Sequence, residues 1–230
     1  MSASKRVLIL YYSLTHQTEN VLNMIRVELE AGGHSIDMRR IQPVTEWTLP
    51  LDKPTFFYNW TKVWLGMNLN QPIHHIPLKS EDYDYIILGF QPWNLAPSIP
   101  VNSFLDSEMA EIFRGKKVIG VVTCRQRWER SFRIAKTKVE KRGGKMVDGF
   151  VIVNYEKEPY NLVTTVYQLF EGHEPPKDHW LSRFFKPYGI GKDSLRVAQD
   201  YGKELAERLR EDRLDDLRGW RIVDQPLSLV

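Results

Sequence analysis

Apolar runs of strand length alternate along this chain with segments of helical period. Val7 to Tyr12 is continuously apolar, as expected of a central parallel strand covered on both faces. Residues 17–31 follow, with Val21, Met24, Ile25 and Leu29 at helical spacing before Gly32-Gly33. Ser35 to Arg40 alternates weakly, like an outer strand; residues 84–90 and 116–123 read as buried strands, and Lys145 to Tyr155 as the last one. Helices are expected from Ser103 to Phe113, from about Trp128 to Arg142, and from Ser194 to Arg210, where Ala198, Tyr201, Leu205 and Leu209 form an apolar side.

Strands that alternate with helices pair in parallel through right-handed crossovers. Five of them suit an α/β, doubly wound three-layer sandwich with strand order 2-1-3-4-5, here a single domain over 1–230. Ligands in such folds bind beyond the carboxyl ends of the strands, which singles out the loops after residues 12, 90 and 123.

Two segments exceed that plan, at about 41–82 and 156–193. The first holds Trp47, Phe56, Phe57, Tyr58, Trp60 and Trp64, and the second Tyr160, Tyr167, Phe170, Trp180, Phe184, Phe185 and Tyr188. So many aromatics argue for ordered insertions. Their cores, 54–66 and 178–190, are expected to close over a ligand as an apolar chamber; otherwise they pack on each other or form a dimer interface.

Composition narrows the field. A hydrophobic fraction of 42% with 27% charged residues is ordinary for a globular protein. The net charge of +3 is too small for a nucleic-acid surface, and the basic run at Lys136, Lys138, Lys141, Arg142 and Lys145 has no interleaved aromatics. No segment is long enough and apolar enough to span a bilayer, and Met-Ser-Ala-Ser-Lys-Arg runs into the first strand without the apolar core of a signal peptide. With Cys124 the only cysteine, the expectation is a reducing cytoplasm. His74-His75 lacks the spacing of a metal site, so no metal is expected; neither phosphate-binding glycine motif occurs, so nucleoside triphosphate and Rossmann dinucleotide sites lack their fingerprints.

The three loops carry the candidate chemistry. In the first, Ser13, Leu14, Thr15, His16, Gln17 and Thr18 lead into a helix whose N-terminal amides favour an anion, and the hydroxyls add donors around a phosphate. The same hydroxyls could instead cap the helix. In the second, Pro92, Trp93, Asn94 and Leu95 form a proline-stiffened loop, in which Trp93 either covers one face of a flat ring or plugs the sheet edge. In the third, Thr123, Cys124 and Arg125 border the same end of the sheet, where Arg125 could stabilise negative charge on a bound ring. Arg125 and Arg127 read equally as surface charges opening a helix. No His or Asp partner marks Cys124 as a nucleophile, and no catalytic residue is assigned.

Ser13-Leu14-Thr15-His16-Gln17-Thr18 resembles the phosphate signature of the flavodoxins, hydroxyl-x-Thr-Gly-x-Thr, with His16 in place of the glycine. The strand arrangement is similar to that of flavodoxin-like FMN proteins, including the NAD(P)H:quinone reductases. More narrowly, LGFQPWNLAPSIPVNSFL and VVTCRQRW resemble the bacterial dialkylresorcinol condensing enzymes. That resemblance spans roughly 5–155 and is most specific over 85–128. It implies FMN as cofactor, a ring-aromatising oxidoreductase beside a ketosynthase partner, and the homodimer common among relatives; NADH or NADPH, if used, would dock on the flavin.

The leading expectation is therefore an FMN-dependent oxidoreductase acting on a small, flat apolar ring, either a quinone or a cyclohexanedione being aromatised. A flavodoxin-type electron carrier is the alternative, against which the positive charge counts, because such carriers are acidic and steered by that charge. A third expectation is a flavin-less binding module, favoured by His16.

Overall fold

The computed structural model describes residues 4–125, 127–153, 160–173, 189–214 and 221–224. Its elements run β1 (Arg6–Tyr11), α1 (Gln17–Ala31), β2 (Ser35–Arg40), α2 (Lys53–Trp64), β3 (Tyr85–Phe90), the two-residue strands β4 (Pro92–Trp93) and β5 (Ala96–Pro97), and α3 (Ile99–Asp106). Then come β6 (Lys117–Cys124), α4 (Glu129–Lys141), β7 (Lys145–Val153), α5 (Tyr160–Glu171), α6 (Lys192–Arg210) and β8 (Arg221–Asp224). The five long strands lie in the parallel order β2-β1-β3-β6-β7, which is the expected 2-1-3-4-5. A sixth short strand, β8, adds in parallel outside β7; the periodicity had not revealed it.

Alternation along the strands sends side chains to two cores. Leu8, Leu10, Ile86, Leu88 and Phe90 pack under α3 and α4 through Val101, Phe104, Phe132 and Val139. Val7, Ile9, Tyr85, Ile87 and Ile119 pack under α1 and α6 through Leu22, Ile25, Tyr201 and Leu205. Two strand glycines set how closely the helices approach. A Cβ on Gly89 would lie 2.5 Å from Leu22 Cδ1, and one on Gly120 would lie 2.5 Å from Phe132 Cε2.

Two expected boundaries are corrected. The helix placed over 103–113 begins at Ile99, with Pro100 in its first turn, and ends at Asp106; Glu108–Phe113 is a separate 3₁₀ segment after Ser107 turns extended. The last strand reaches Val153, and Tyr155 lies outside the described residues. Within the insertions, α2 and α5 are helices that the pattern did not disclose, because α2 exposes Phe57, Tyr58, Trp60 and Trp64 and so lacks a polar face.

A register shift between β6 and β7 at Val118/Ile119 lets Val147 and Asp148 both serve the α6 face. The buried Asp148 carboxylate accepts from Arg208 Nη1 at 2.6 Å, from Tyr201 Oη at 3.2 Å and from the Gly149 N–H at 2.8 Å. The Tyr201 ring stacks on Phe150 with centroids 4.4 Å apart. Removing the guanidinium would strand a buried carboxylate, and breaking such a pair from one side costs about 3–5 kcal/mol. Arg208→Met should therefore shift the urea midpoint strongly downward. A midpoint within error of the parent would mean that solvent reaches Asp148 and the pair contributes little.

Candidate functional site

At the carboxyl ends of β1, β3 and β6 a cavity of about 900 Å³ opens beneath α2 and α5. The β1–α1 turn forms one wall. His16 is the residue before α1 and adopts a left-handed backbone, φ 58° and ψ 1°. That is the conformation a glycine would supply, and His16 reaches it without one. Its ring Nδ1–H donates to Glu19 Oε2 at 2.7 Å, and Tyr11 Oη donates to Glu19 Oε1 at 2.7 Å. Burial alone would raise the Glu19 carboxyl, yet these two donors hold it below the usual carboxylate range. The carboxylate is therefore ionised and accepts both bonds.

Among the described residues none of the N–H groups from Ser13 to Thr18 has an acceptor; the first paired ones beyond them are Glu19, at a long 3.5 Å from Ser13 Oγ, and Asn20, bonded to His16 O at 2.9 Å. Six successive donors are thus left for a ligand or water. The Thr15 hydroxyl has no partner among the described residues either and lies on the cavity wall.

Thr18 departs from expectation. Its hydroxyl is buried, donates to Gln91 Oε1 at 3.3 Å and shares a 2.7 Å hydrogen bond with Thr123 Oγ1. Since Thr18 has one proton to give, Thr123 is the donor of the second bond. Thr18 therefore ties the first loop to the other two and is not a free phosphate donor. Gln17 is also engaged, accepting from the Ile190 N–H at 2.7 Å.

The second loop is a two-residue hairpin. Pro92 pairs with Pro97 and Trp93 with Ala96, and Asn94 and Leu95 turn with φ of 51° and 74°. Trp93 is not isolated on its loop. It packs edge-on between Tyr12, at 5.9 Å, and Trp47, at 5.1 Å, with part of its surface on the cavity. Trp47 comes from the first insertion. Asn94 Nδ2 donates to Trp60 O at 3.0 Å, fastening the hairpin to α2.

In the third loop Thr123, Cys124 and Arg125 all line the cavity. Burial, reinforced by the Glu129 charge, pushes the Cys124 thiol up to about 12, which keeps it protonated at neutral pH. Of the residues singled out from sequence, Leu14, Thr15, Gln17, Thr18, Pro92, Trp93, Asn94, Leu95, Thr123, Cys124 and Arg125 reach the cavity, while Ser13 and His16 do not.

The aromatic insertions both line the cavity and pack on each other. Phe56, Trp60 and Val63 of α2 meet Thr165, Val166 and Leu169 of α5 around it. Phe170 contacts Phe56 at 5.1 Å and Phe57 at 5.9 Å, and Leu51 N donates to Leu169 O at 2.7 Å. Trp64 does not line the chamber as expected: it is 61% exposed on the outer face of α2. Of the second core segment, 178–190, only Gly189 and Ile190 are described, and both border the cavity. Sequence reasoning missed the base that holds this insertion. Lys138 Nζ donates to Asn68 Oδ1, Asn102 Oδ1 and Asp106 Oδ2 at 3.0, 2.7 and 2.8 Å, while Asn68 and Asn70 donate to the same carboxylate.

No protein-family model matches the chain, and no curated protein matches it. Solved structures do. A flavoprotein in complex with FMN from Lactobacillus acidophilus NCFM is 20% identical, with a TM-score of 0.51, over 64% of this chain and 93% of that one. A candidate flavoprotein from Bacteroides eggerthii DSM 20697 is 18% identical, TM-score 0.51, over 64% and 88%. Another, from Bacteroides uniformis ATCC 8492, is 19% identical, TM-score 0.50, over 74% and 99%. This likeness shows the fold, a flavodoxin-like sandwich. Among the described residues no helix is long and apolar enough to cross a membrane.

The raised Cys124 thiol gives a direct check on how closed the site is. At pH 8, iodoacetamide should alkylate Cys124 in the native chain at least about a hundredfold more slowly than in the unfolded chain, where the thiol has its ordinary pKa near 8.5. Comparable rates would mean that the third loop does not shield the sulfur.

Proposed function

We propose that the protein binds FMN at the carboxyl ends of β1, β3 and β6 and uses it in redox chemistry on a small, flat apolar ring. The observation that carries this reading is the run of N–H groups from Ser13 to Thr18, unpaired among the described residues, of which Leu14, Thr15, Gln17 and Thr18 line a cavity that no described carboxylate lines. That donor set fits a terminal phosphate: backbone amides at a helix start, the Thr15 hydroxyl, and a left-handed His16 that turns the chain without glycine. The Glu19 carboxylate is close by, but His16 and Tyr11 donate to both its oxygens, which lessens repulsion of an anion.

When bound, FMN would supply the electron pair or hydride transfer. The chain's own part is to place and shield it. The Thr18–Thr123 bond fixes the first loop against the third, and Trp93, wedged between Tyr12 and Trp47, gives the second loop a rigid apolar edge. Arg125, on the wall at the third loop, would favour negative charge accumulating on the reduced ring. Phe56, Trp60, Val63, Val166 and Leu169 would give the space beside it an apolar wall.

A walled chamber supports an enzyme over a flavodoxin-type carrier, whose flavin edge must meet a protein partner. The resemblance to the dialkylresorcinol enzymes supports aromatisation of a cyclohexanedione as the finer reading, with quinone reduction as the other. A ketosynthase partner, a nicotinamide reductant and a homodimer belong to the same proposal.

Purified protein should be yellow, or become so with FMN, and release FMN on denaturation. Thr15→Ala should weaken FMN binding by about tenfold, because a hydrogen bond to a charged group contributes roughly 1.5–3 kcal/mol. Its melting transition should stay unchanged, whereas Thr18→Ala, which deletes a buried internal bond, should lower it. Released FAD, no flavin uptake at excess FMN, or undiminished affinity in Thr15→Ala would overturn the assignment.

A further inference from the structure

The cavity wall is unbalanced in charge. Among the described residues Arg125, Arg127, Arg130 and Lys138 line it, and no Asp or Glu does. Lys138 is neutralised by Asp106, 2.7 Å away. Arg127 and Arg130 are different: both are exposed, and neither has an ion pair or hydrogen bond among the described residues. Arg127 leaves β6 with a left-handed backbone, φ 55°. Arg130 sits in the first turn of α4 and reaches across to the end of α2, its Nη2 lying 3.8 Å from where a Cβ on Gly66 would be. Glu129, the carboxylate between them in sequence, acts on the Cys124 thiol and does not line the cavity.

These two guanidinium groups belong to different elements from the β1–α1 turn that would hold the flavin phosphate. They share their cavity with Phe56, Trp60 and Val63 of α2, Ile134 of α4, and Val166 and Leu169 of α5. A cleft lined by one sign of charge concentrates ligands of the other sign, and a guanidinium fork matches the oxygens of a carboxylate or phosphate. An apolar wall alone would select for oils; the arginines add a demand for an oxyanion.

We infer that the ligand taken up beside the flavin is an anionic amphiphile. Its apolar body lies against α2 and α5, and a carboxylate or phosphate monoester group is held at the mouth by Arg127 and Arg130. This deepens the flavin reading, on which it rests for the order of ligands in the cavity, and it separates substrates by charge as well as by shape.

Isothermal titration of the full chain, with and without FMN, should compare three probes of one shape: 4-octylbenzoate, 4-octylphenyl phosphate and the neutral 4-octylbenzamide. At low salt at least one oxyanion should bind about tenfold more tightly than the amide, as charge-assisted bonds to Arg predict. The preferred oxyanion tells carboxylate from phosphate. The preference should shrink at high salt, since the arginines are exposed. In Arg127→Gln/Arg130→Gln the oxyanions and the amide should bind alike, with FMN affinity and melting unchanged. Equal binding of all three probes to the parent chain would overturn the inference. So would a preference that survives the double substitution, or a loss of FMN affinity in its place, which would assign the arginines to the cofactor. Because calorimetry needs no flavin signal, a chain that selects oxyanions through these arginines but takes up no FMN would refute the flavin reading alone.

Discussion

A helix leaves the N–H groups of its first turn without partners inside the helix, and a strand that runs straight into one extends that run unless side chains cap it. Here that obligation falls on Ser13 to Thr18, at the one end of the sheet where β1 and β3 part toward opposite edges. The surrounding structure preserves the donors and does not consume them. Thr18, inside the first turn, has its hydroxyl bonded to Thr123 and Gln91, and only Ser13 Oγ approaches a first-turn N–H, that of Glu19 at a long 3.5 Å. His16 takes the left-handed turn and spends its ring nitrogen on Glu19, so its side chain offers the helix no cap.

The other walls follow from how the first insertion is fastened. Its neck closes by the Pro43–Ile73 bridge, with Val44 N donating to Pro72 O and His74 N to Gln42 O. Its far end is held by the polar cluster of Lys138, Asn102, Asp106, Asn68 and Asn70, in which every named donor has an acceptor. Burial would raise the Asp106 carboxyl, but Lys138, Asn68 and Asn70 hold it below the usual range, so the cluster keeps its charge. Between these two anchors α2 is carried over the cavity, and Phe56 and Phe57 meet Phe170 of the second insertion. The chamber is thus a consequence of two insertions packing on each other above a fixed sheet.

The sheet was legible because buried parallel strands are written as unbroken apolar runs, such as Val7 to Tyr12, and their helices as periodic ones. The three loops were legible for the same reason: strand order alone decides where the carboxyl ends converge. What stayed hidden depends on partners distant in sequence. Trp93 reads as a free aromatic until Trp47 and Tyr12 are placed around it, and Thr18 as a phosphate ligand until Thr123 arrives beside it. Helix α2 was obscured by its outward Phe57 and Trp64, and the early start of α3 by Pro97 and Pro100, which read as loop stiffeners. His16 looked like a departure from a glycine position, yet histidine among non-glycine residues tolerates the left-handed region, and its bond to Glu19 holds it there.

If FMN binds as proposed, its phosphate takes the amides of the β1–α1 turn. Hydrogen–deuterium exchange over residues 12–20, read with and without FMN, tests it at the atoms concerned. Exchange should be rapid at Leu14 to Thr18 in the flavin-free chain and slow by at least about tenfold when FMN is added and those N–H groups gain acceptors. Unchanged exchange over this turn in a chain that has demonstrably taken up FMN would contradict it.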